Sequence, residues 1–210
     1  MALMHWATMN PTKAALLMAW LPGRPWFQGT AGADVERVAG YRFDDPAGAV
    51  GVETLLVRAG DGPIHQVPLT YRDAPLAGGD DWLVGTSEHS ALGRRWVYDA
   101  CADPVYAATL AAAVLADAGQ AEEFFEVDGQ REYRELTMSI TGSGTRGADL
   151  PPVDAVRQVV EDDLTLVVTD SVELAVVRRL DGATAAEGAV LTGTWRGQPS
   201  PLPLAYARRR

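Results

Sequence analysis

The chain has only one cysteine, Cys101, and three histidines among its 210 residues. A single cysteine excludes an internal disulfide framework, and the cysteine and histidines do not recur at zinc-ligand spacing. Small secreted domains rely on disulfides, so this usage indicates a reducing cytoplasm. The sequence therefore predicts a cytoplasmic protein without a metal site.

Positive charge is also scarce. The chain has 18 Lys and Arg against 28 Asp and Glu, a formal net charge of -10 and a pI near 4.7. A nucleic-acid-binding protein needs a basic stripe to release counterions from the phosphate backbone. The one basic run, at residues 208–210, is expected to be a solvated tail. Nucleic acid is therefore not an expected partner.

Membrane signals are lacking as well. The apolar run at residues 14–21 is interrupted by Pro22-Gly23 and is too short to span a bilayer. No small-residue cleavage site follows it, so a signal peptide is not expected. With 47% hydrophobic and 22% charged residues, the composition is that of an ordinary globular chain, and no membrane association is predicted.

Strand patterns dominate what the sequence does contain. Runs rich in β-branched and apolar residues are separated by turn signals such as Gly60-Asp61-Gly62-Pro63, which predicts antiparallel hairpins. Residues 123–127 and 134–140 are expected to form one such hairpin, whereas the prolines of 199–203 disfavour regular structure. The other predicted strands are 35–43, 51–58, 64–71, 156–160, 164–168, 173–180 and 189–195.

Two helices are predicted. Asn10 and Pro11 have the N-cap and first-position preferences of a short helix over residues 11–21. Asp103-Pro104 opens a longer central helix with an apolar face, for which Gly119 is the expected C-cap. Together with the strands, these helices indicate an α+β fold with a mostly antiparallel sheet.

The sequence contains no complete catalytic motif. The segment Thr141–Gly147 is rich in glycine but lacks the lysine of a phosphate-binding P-loop, and a flexible loop is expected. The adjacent carboxylates Glu161-Asp162-Asp163 are typical of a solvated edge. His65 lies on a predicted strand, and His89, in Ser87-Glu88-His89-Ser90, is the more site-like histidine. No catalytic, cofactor-binding or metal-binding residue is assigned.

The most conspicuous motif is Arg24-Pro25-Trp26-Phe27-Gln28-Gly29. Aromatic side chains of this size are seldom left exposed, so the motif is not expected to be a linker. Trp26 and Phe27 are either buried where the first helix meets the sheet, with Arg24 paired to a carboxylate such as Asp99, or they face a partner. Asp99, which precedes the second helix, can also satisfy backbone donors.

Four fragments occur in an order that resembles a known family. They are Arg24–Gly29, Gln66–Leu69, His89–Gly93 and Tyr98–Ala100. In these fragments the chain is similar to the N-terminal cap domain of actinobacterial maltokinases and their glucosamine-kinase relatives, best over residues 14–118 and more faintly to about 182. The resemblance implies a curved, mostly antiparallel sheet with a short N-terminal helix and one longer central helix packed on it.

The resemblance also implies a domain organisation. Residues 1–13 are expected to be a flexible N-terminus, 14–150 a cap-like α+β region, and 151–210 a second β-rich part similar to the start of a kinase N-lobe or continuous with the first. In the second part, Ala175 occupies the position where the family's strand carries its ATP-contacting lysine. The sequence ends at Arg210 without a catalytic lobe, so neither kinase activity nor a nucleotide cofactor is expected.

The function that the resemblance implies is a non-catalytic interaction or regulatory module of bacterial trehalose, maltose and glycogen metabolism. Arg24, Trp26 and Phe27 would contact a carbohydrate-active enzyme, a separately encoded kinase or the chain's own second half. One alternative is a protein that binds or acts on a small sugar or sugar phosphate, with His89 and Asp99 in its pocket. A further alternative is the N-lobe half of a split kinase.

Overall fold

A computed structural model describes residues 2–4, 6–182 and 185–210, with the backbone alone for residues 2–4. The two helices are α1 (Lys13–Trp20) and α2 (Pro104–Ala116). The strands are β1 (Ala2–Met4), β2 (Met9–Asn10), β3 (Val35–Phe43), β4 (Gly51–Ala59), β5 (Ile64–Arg72), β6 (Leu83–His89), β7 (Gly93–Asp99), β8 (Glu123–Val127), β9 (Gln130–Tyr133), β10 (Met138–Gly142), β11 (Val156–Val160), β12 (Leu164–Thr169), β13 (Val172–Val177), β14 (Ala189–Trp195) and β15 (Gln198–Arg209).

The first sheet has the antiparallel order β2-β6-β7-β5-β4-β3. Its strands β3, β4 and β5 confirm three of the predicted segments. The strands β6 and β7 were not predicted from the sequence, because in β6 only Ser87 is fully buried and the usual alternation of apolar residues is missing. The strands β1 and β2 also form where the sequence shows no strand pattern.

The second sheet has the antiparallel order β10-β14-β15-β13-β12-β11. The strand β15 runs through the three prolines that were expected to prevent regular structure. Its proline-bearing half pairs with β14 alone and with shifts of register, whereas the proline-free residues 205–209 pair with β13 as well. A proline lacks the N–H that a central strand must donate, so it is tolerated only where one side is unpaired.

The predicted hairpin of residues 123–140 is wrong in its second strand. The strand β8 pairs with β9, and β1 joins them in parallel, which makes a separate three-stranded sheet. The strand β10 instead joins the second sheet, where Met138 lies opposite Trp195. The second sheet therefore contains a strand from each side of the prolines at 151–152.

The two helices cover opposite faces of the first sheet. Helix α2 lies between the sheets, and its Tyr106 and Leu110 pack in one core with Leu56 of β4 and Leu174 of β13. Helix α1 covers the other face, where Leu17 packs in a second core cluster. Neither α-helix of the described residues is long and apolar enough to cross a membrane. This arrangement confirms the predicted α+β fold.

The helix ends differ from the sequence-based expectation. Helix α1 is capped by Thr12, whose Oγ1 accepts a hydrogen bond from the Ala15 N–H at 3.2 Å, rather than by Asn10. Helix α2 has Asp103 as its N-cap and ends at Asp117, which adopts a left-handed conformation with φ of 46° in place of Gly119. Asp tolerates this conformation better than most residues because its short side chain bonds locally.

The segment 141–147 is bound to α2 and is not the free loop that was expected. The Gly144 N–H donates to the Val114 carbonyl at 3.0 Å, and the Gly147 N–H donates to the Ala116 carbonyl at 3.2 Å. A Cβ on Gly144 would lie 2.1 Å from the Leu115 carbonyl oxygen. This glycine therefore provides close packing, and the segment satisfies carbonyls that every helix C-terminus leaves unpaired.

The two sheets are also joined through the backbone. Beyond β13, residues 178–180 lie along β5, where the Gln66 N–H donates to the Arg178 carbonyl at 2.8 Å and the Leu180 N–H donates to the Ile64 carbonyl at 2.9 Å. The predicted division at residues 150/151 stays a prediction, but these bonds connect the regions on its two sides.

Candidate functional site

The conspicuous motif of residues 24–29 folds back beneath α1. Pro22 lies in a single 3-10 turn, Leu21–Gly23, and the Arg24 N–H donates to the Leu21 carbonyl at 2.9 Å. The chain then reverses and places Trp26 in the core with 1% of its surface exposed. Its ring meets Trp20 edge to face, with 5.9 Å between the centroids. Trp26 is therefore part of the core and not a surface anchor.

The same motif contacts the second half of the chain through one carboxylate. The Trp26 Nε1–H donates to Glu161 Oε1 at 3.2 Å, and Arg24 Nη1 lies 3.3 Å from Glu161 Oε2. The Arg24 guanidinium also lies 4.9 Å from the centre of the Trp20 ring. Glu161, which was expected on a solvated edge, thus holds the motif in place.

Arg178 makes the second connection, and it is completely buried. Its guanidinium lies over the Trp26 ring at 4.6 Å, its Nη2 lies 2.7 Å from Asp99 Oδ2, and its Nε donates to Thr165 Oγ1 at 2.9 Å. Asp99 therefore pairs with Arg178 and not with Arg24, which differs from the expected pairing. We call the group Arg24, Trp26, Asp99, Glu161 and Arg178 the latch.

Each arginine of the latch has a carboxylate beside it, while Arg24 Nε and Arg178 Nη1 are buried without a hydrogen-bond partner among the described residues. Burial alone lowers the pKa of Arg178, but the Asp99 carboxylate outweighs it and raises this pKa, so the cation is retained. Asp99 Oδ1 accepts the Cys101 N–H at 3.0 Å, the backbone role expected for this residue. Burial raises the pKa of the Cys101 thiol well above its usual range, which removes the thiolate that a nucleophile requires. These groups stabilise one another and are not arranged for chemistry.

Phe27 is half-buried next to a structural histidine. The ring centroids of Phe27 and His65 lie 5.1 Å apart, and His65 Nε2 accepts the Gln28 N–H at 3.1 Å. Burial, and then the nearby positive charge of Arg179, lowers the pKa of His65 to about 4. A proton on Nε2 would displace the Gln28 bond, so the neutral ring belongs to the folded state.

His89 lies apart from the other four candidate residues. Its Nδ1 accepts the backbone N–H groups of Ala91 at 3.2 Å and Leu92 at 3.1 Å, which closes the turn between β6 and β7. The structure therefore brings Arg24, Trp26, Phe27 and Asp99 together around the latch and leaves His89 at the edge of a separate cleft.

The structural role of Gln66 in this region was not predicted from the sequence. Its Nε2 donates to the carbonyls of Val177 at 3.0 Å and Leu204 at 2.8 Å, and its Oε1 accepts the Tyr41 hydroxyl at 3.3 Å. An amide in the middle of the buried strand β5 was the available signal, because a buried polar side chain needs partners. The roles of Glu161 and Arg178 had no such local signal, since their partners lie far away in sequence.

Among the residues that the structure describes, no group of three or more metal-ligating side chains is close enough to hold an ion. Ala175, at the position where the resemblance places a lysine, lies on β13 opposite Leu166 of β12 and Tyr206 of β15. It belongs to a small apolar cluster on the face of the second sheet that points away from α2.

Comparison with known proteins gives a match to one family model. Residues 20–103 match the model of the maltokinase N-terminal cap domain. No curated protein matches the chain. The matched segment covers less than half of the sequence, contains Arg24, Trp26 and Asp99, and excludes Glu161 and Arg178. The predicted resemblance is confirmed by this match over residues 20–103, and the latch ties the matched segment to the second half of the chain.

Proposed function

We propose that the chain is a non-catalytic interaction module of bacterial trehalose, maltose and glycogen metabolism, which docks on a carbohydrate-active enzyme or a separately encoded kinase. The observation that carries this proposal is the closed latch. The charged and aromatic residues of the cap segment hold the second half of the chain, and this makes a stable platform of the kind that a docking module needs.

The position of Ala175 supports a role without phosphoryl transfer. In nucleotide-dependent kinases a lysine on the corresponding strand contacts the phosphates. The methyl group of Ala175 cannot make that contact, and the neighbouring Arg178 is buried against Asp99. These two facts also weigh against the split-kinase alternative.

We place the partner contact on the outer face of the second sheet. This face carries the apolar cluster of Ala175, Val177 and Tyr206, bordered by the half-buried Leu164 and Leu166. The same face contains a shallow cleft of about 240 Å³. Ala175, Val177 and Tyr206 are themselves buried, so the half-buried Leu164 and Leu166 supply the apolar surface that a partner would cover at the centre of the interface.

The test is direct binding of the purified chain to purified trehalose synthase, maltokinase and glucan-transferring enzymes, measured by interferometry. We expect one of them to bind at micromolar concentration or tighter. Leu166→Asp should weaken that binding at least about tenfold, because a charge at the centre of an apolar interface must be desolvated.

Val160→Asp is the matched control, since Val160 is an exposed apolar residue on the edge strand β11. It should leave binding unchanged. Lack of binding to every enzyme tested would refute the docking function, and equal effects of the two variants would refute the placement of the contact. ATP turnover by the chain alone would refute the non-catalytic role.

A further inference from the structure

A cleft of about 520 Å³ lies on the first sheet beside the first turn of α1, away from the latch. This volume is in the range of sites for small molecules. Its polar lining comes from α1, the ends of β3, β5 and β6, and the first half of β7. It includes Lys13, Arg42, Tyr71, His89 and Arg95.

A buried carboxylate organises the positive wall of the cleft. Glu53 binds Lys13, lies 3.4 Å from Arg42 and 4.0 Å from Arg37, and accepts the Tyr71 hydroxyl at 2.9 Å. Burial alone raises the pKa of Glu53, but the Lys13 and Arg42 charges outweigh it and lower this pKa to about 2. Glu53 is therefore ionised, and one negative charge faces three positive ones. A net positive charge remains at this wall.

Two arginines of the wall have unpaired donors. The Nε–H groups of Arg42 and Arg95 are buried and have no hydrogen-bond partner among the described residues. The other end of Arg95 is fixed, since its Nη2 donates to the Leu92 carbonyl. An unpaired buried donor of a charged group is unfavourable until an acceptor binds it. Oxygen atoms with negative charge are the acceptors that guanidinium groups bind best.

The lining of the cleft also carries two carboxylates, Asp44 and Asp45. The Asp45 carboxylate accepts backbone N–H groups of its own loop at 2.8 to 3.0 Å. Carboxylates in the lining disfavour a ligand that carries several negatively charged groups. The lining has an apolar part as well, with Met9, Phe43 and Val52. The cleft thus matches a molecule with one negatively charged group and a neutral body.

We propose that this cleft binds a small organic molecule with one phosphate or carboxylate group, which Arg42 and Arg95 hold while the neutral body lies on the apolar wall. This site is separate from the docking face of the second sheet. The two proposals can therefore fail independently.

The experiment is titration calorimetry on the full chain with three ligands that share a six-carbon polyol body. Glucose 6-phosphate carries a phosphate, gluconate carries a carboxylate, and glucose carries neither. We expect saturable binding of at least one charged ligand and none of glucose. Inorganic phosphate should compete, which separates recognition of the group from recognition of the body.

Arg95→Gln should weaken binding of the charged ligand about tenfold, because it removes a charge-assisted hydrogen bond. Arg94→Gln is the matched control. Arg94 is the preceding residue, it carries the same charge, and it pairs with Glu88 outside the cleft lining. Its ligand affinity should equal that of the unchanged chain. Melting curves without ligand show whether each variant folds.

Two results would overturn the proposal. One is the absence of binding by both charged ligands at about 10 mM, a concentration at which even weak sites register. The other is an equal loss of affinity in Arg94→Gln and Arg95→Gln, which would mean that the overall charge of the surface attracts the anion.

Discussion

The latch and the cleft are both built around arginines, but they use them differently. In the latch, Arg24 and Arg178 each have a carboxylate partner and each lies over a tryptophan ring. Beside the cleft, three cations share the single carboxylate of Glu53. Both regions contain buried guanidinium nitrogens without a partner among the described residues, Arg24 Nε and Arg178 Nη1 in the latch and the Nε atoms of Arg42 and Arg95 in the cleft. The difference is therefore the ratio of cations to carboxylates, and it teaches that the residues most conspicuous in the sequence hold the structure together.

The largest change in stability is expected for Asp99→Ala, which tests whether the latch holds the fold together. The change leaves the buried Arg178 cation without its carboxylate and removes the acceptor of the Cys101 N–H. We expect the free energy of unfolding to fall by about 5 kcal/mol, as for other buried pairs that lose one partner. Urea denaturation measures it. Asp170→Ala, which removes a carboxylate from the exposed pair with Arg157, should cause no measurable change. A similar result for both variants would mean that the latch does not hold the fold.

Trp26→Ala tests the aromatic part of the latch. It removes a fully buried ring that contacts Arg178 and binds Glu161. We expect a loss of about 4 kcal/mol of unfolding free energy from the cavity and the lost contacts. Trp6→Ala serves as control, because Trp6 is 78% exposed, and it should change stability little. If Trp26→Ala were as mild as Trp6→Ala, Trp26 would not be a core residue in solution.

The pH dependence of stability tests the region beside the latch. His65 has a pKa of about 4 in the folded state against an ordinary value of 6.5. Between these values the unfolded chain binds the additional proton, so the free energy of unfolding falls as the pH drops from 6.5 towards 4.

The expected decrease is about 2 kcal/mol. Denaturation curves across this range, compared with those of His65→Gln, measure the contribution of the ring. The variant should show a flatter pH profile in that window. The loss of the Glu53 interactions comes at lower pH, between its ordinary 4.5 and about 2, and is therefore separable. An unchanged profile in His65→Gln would contradict the assignment.

The smallest change in stability is expected for a substitution in the cleft. Arg95→Gln should change the free energy of unfolding by only about 0.5 kcal/mol, because it removes a single exposed hydrogen bond, from Arg95 Nη2 to the Leu92 carbonyl. Arg178→Gln, the same substitution in the latch, should be strongly destabilising. Chemical denaturation of the two variants gives the contrast directly. A large loss in Arg95→Gln would show that the cleft is a structural element like the latch.

The fold was largely predictable where a strand or helix carries its own pattern. The strands β3, β4 and β5 alternate or run apolar, and Asp103-Pro104 marks the start of α2. The exposed strand β6 has no such pattern and was missed. The strand β15 has prolines whose tolerance depends on which side pairs, and no local rule specifies that.

The environment of the site was less predictable. The motif alone could not show whether Trp26 is buried in the core or contacts a partner. Its hydrogen-bond partner, Glu161, lies 135 positions away in the sequence. The pairing of Asp99 with Arg178 spans 79 positions. The cleft depends on how Arg42 and Arg95, from different strands, share one wall, and only the folded chain brings them together.

The long separations within the latch also have a consequence for synthesis. A ribosome completes residues 20–103 well before it reaches Glu161 and Arg178. During that interval Trp26 and Asp99 have been synthesised but still lack these partners. Domains commonly fold as they emerge, and exposed apolar groups invite aggregation at that stage. The packing of residues 20–103 is therefore completed only after residue 178 has been synthesised.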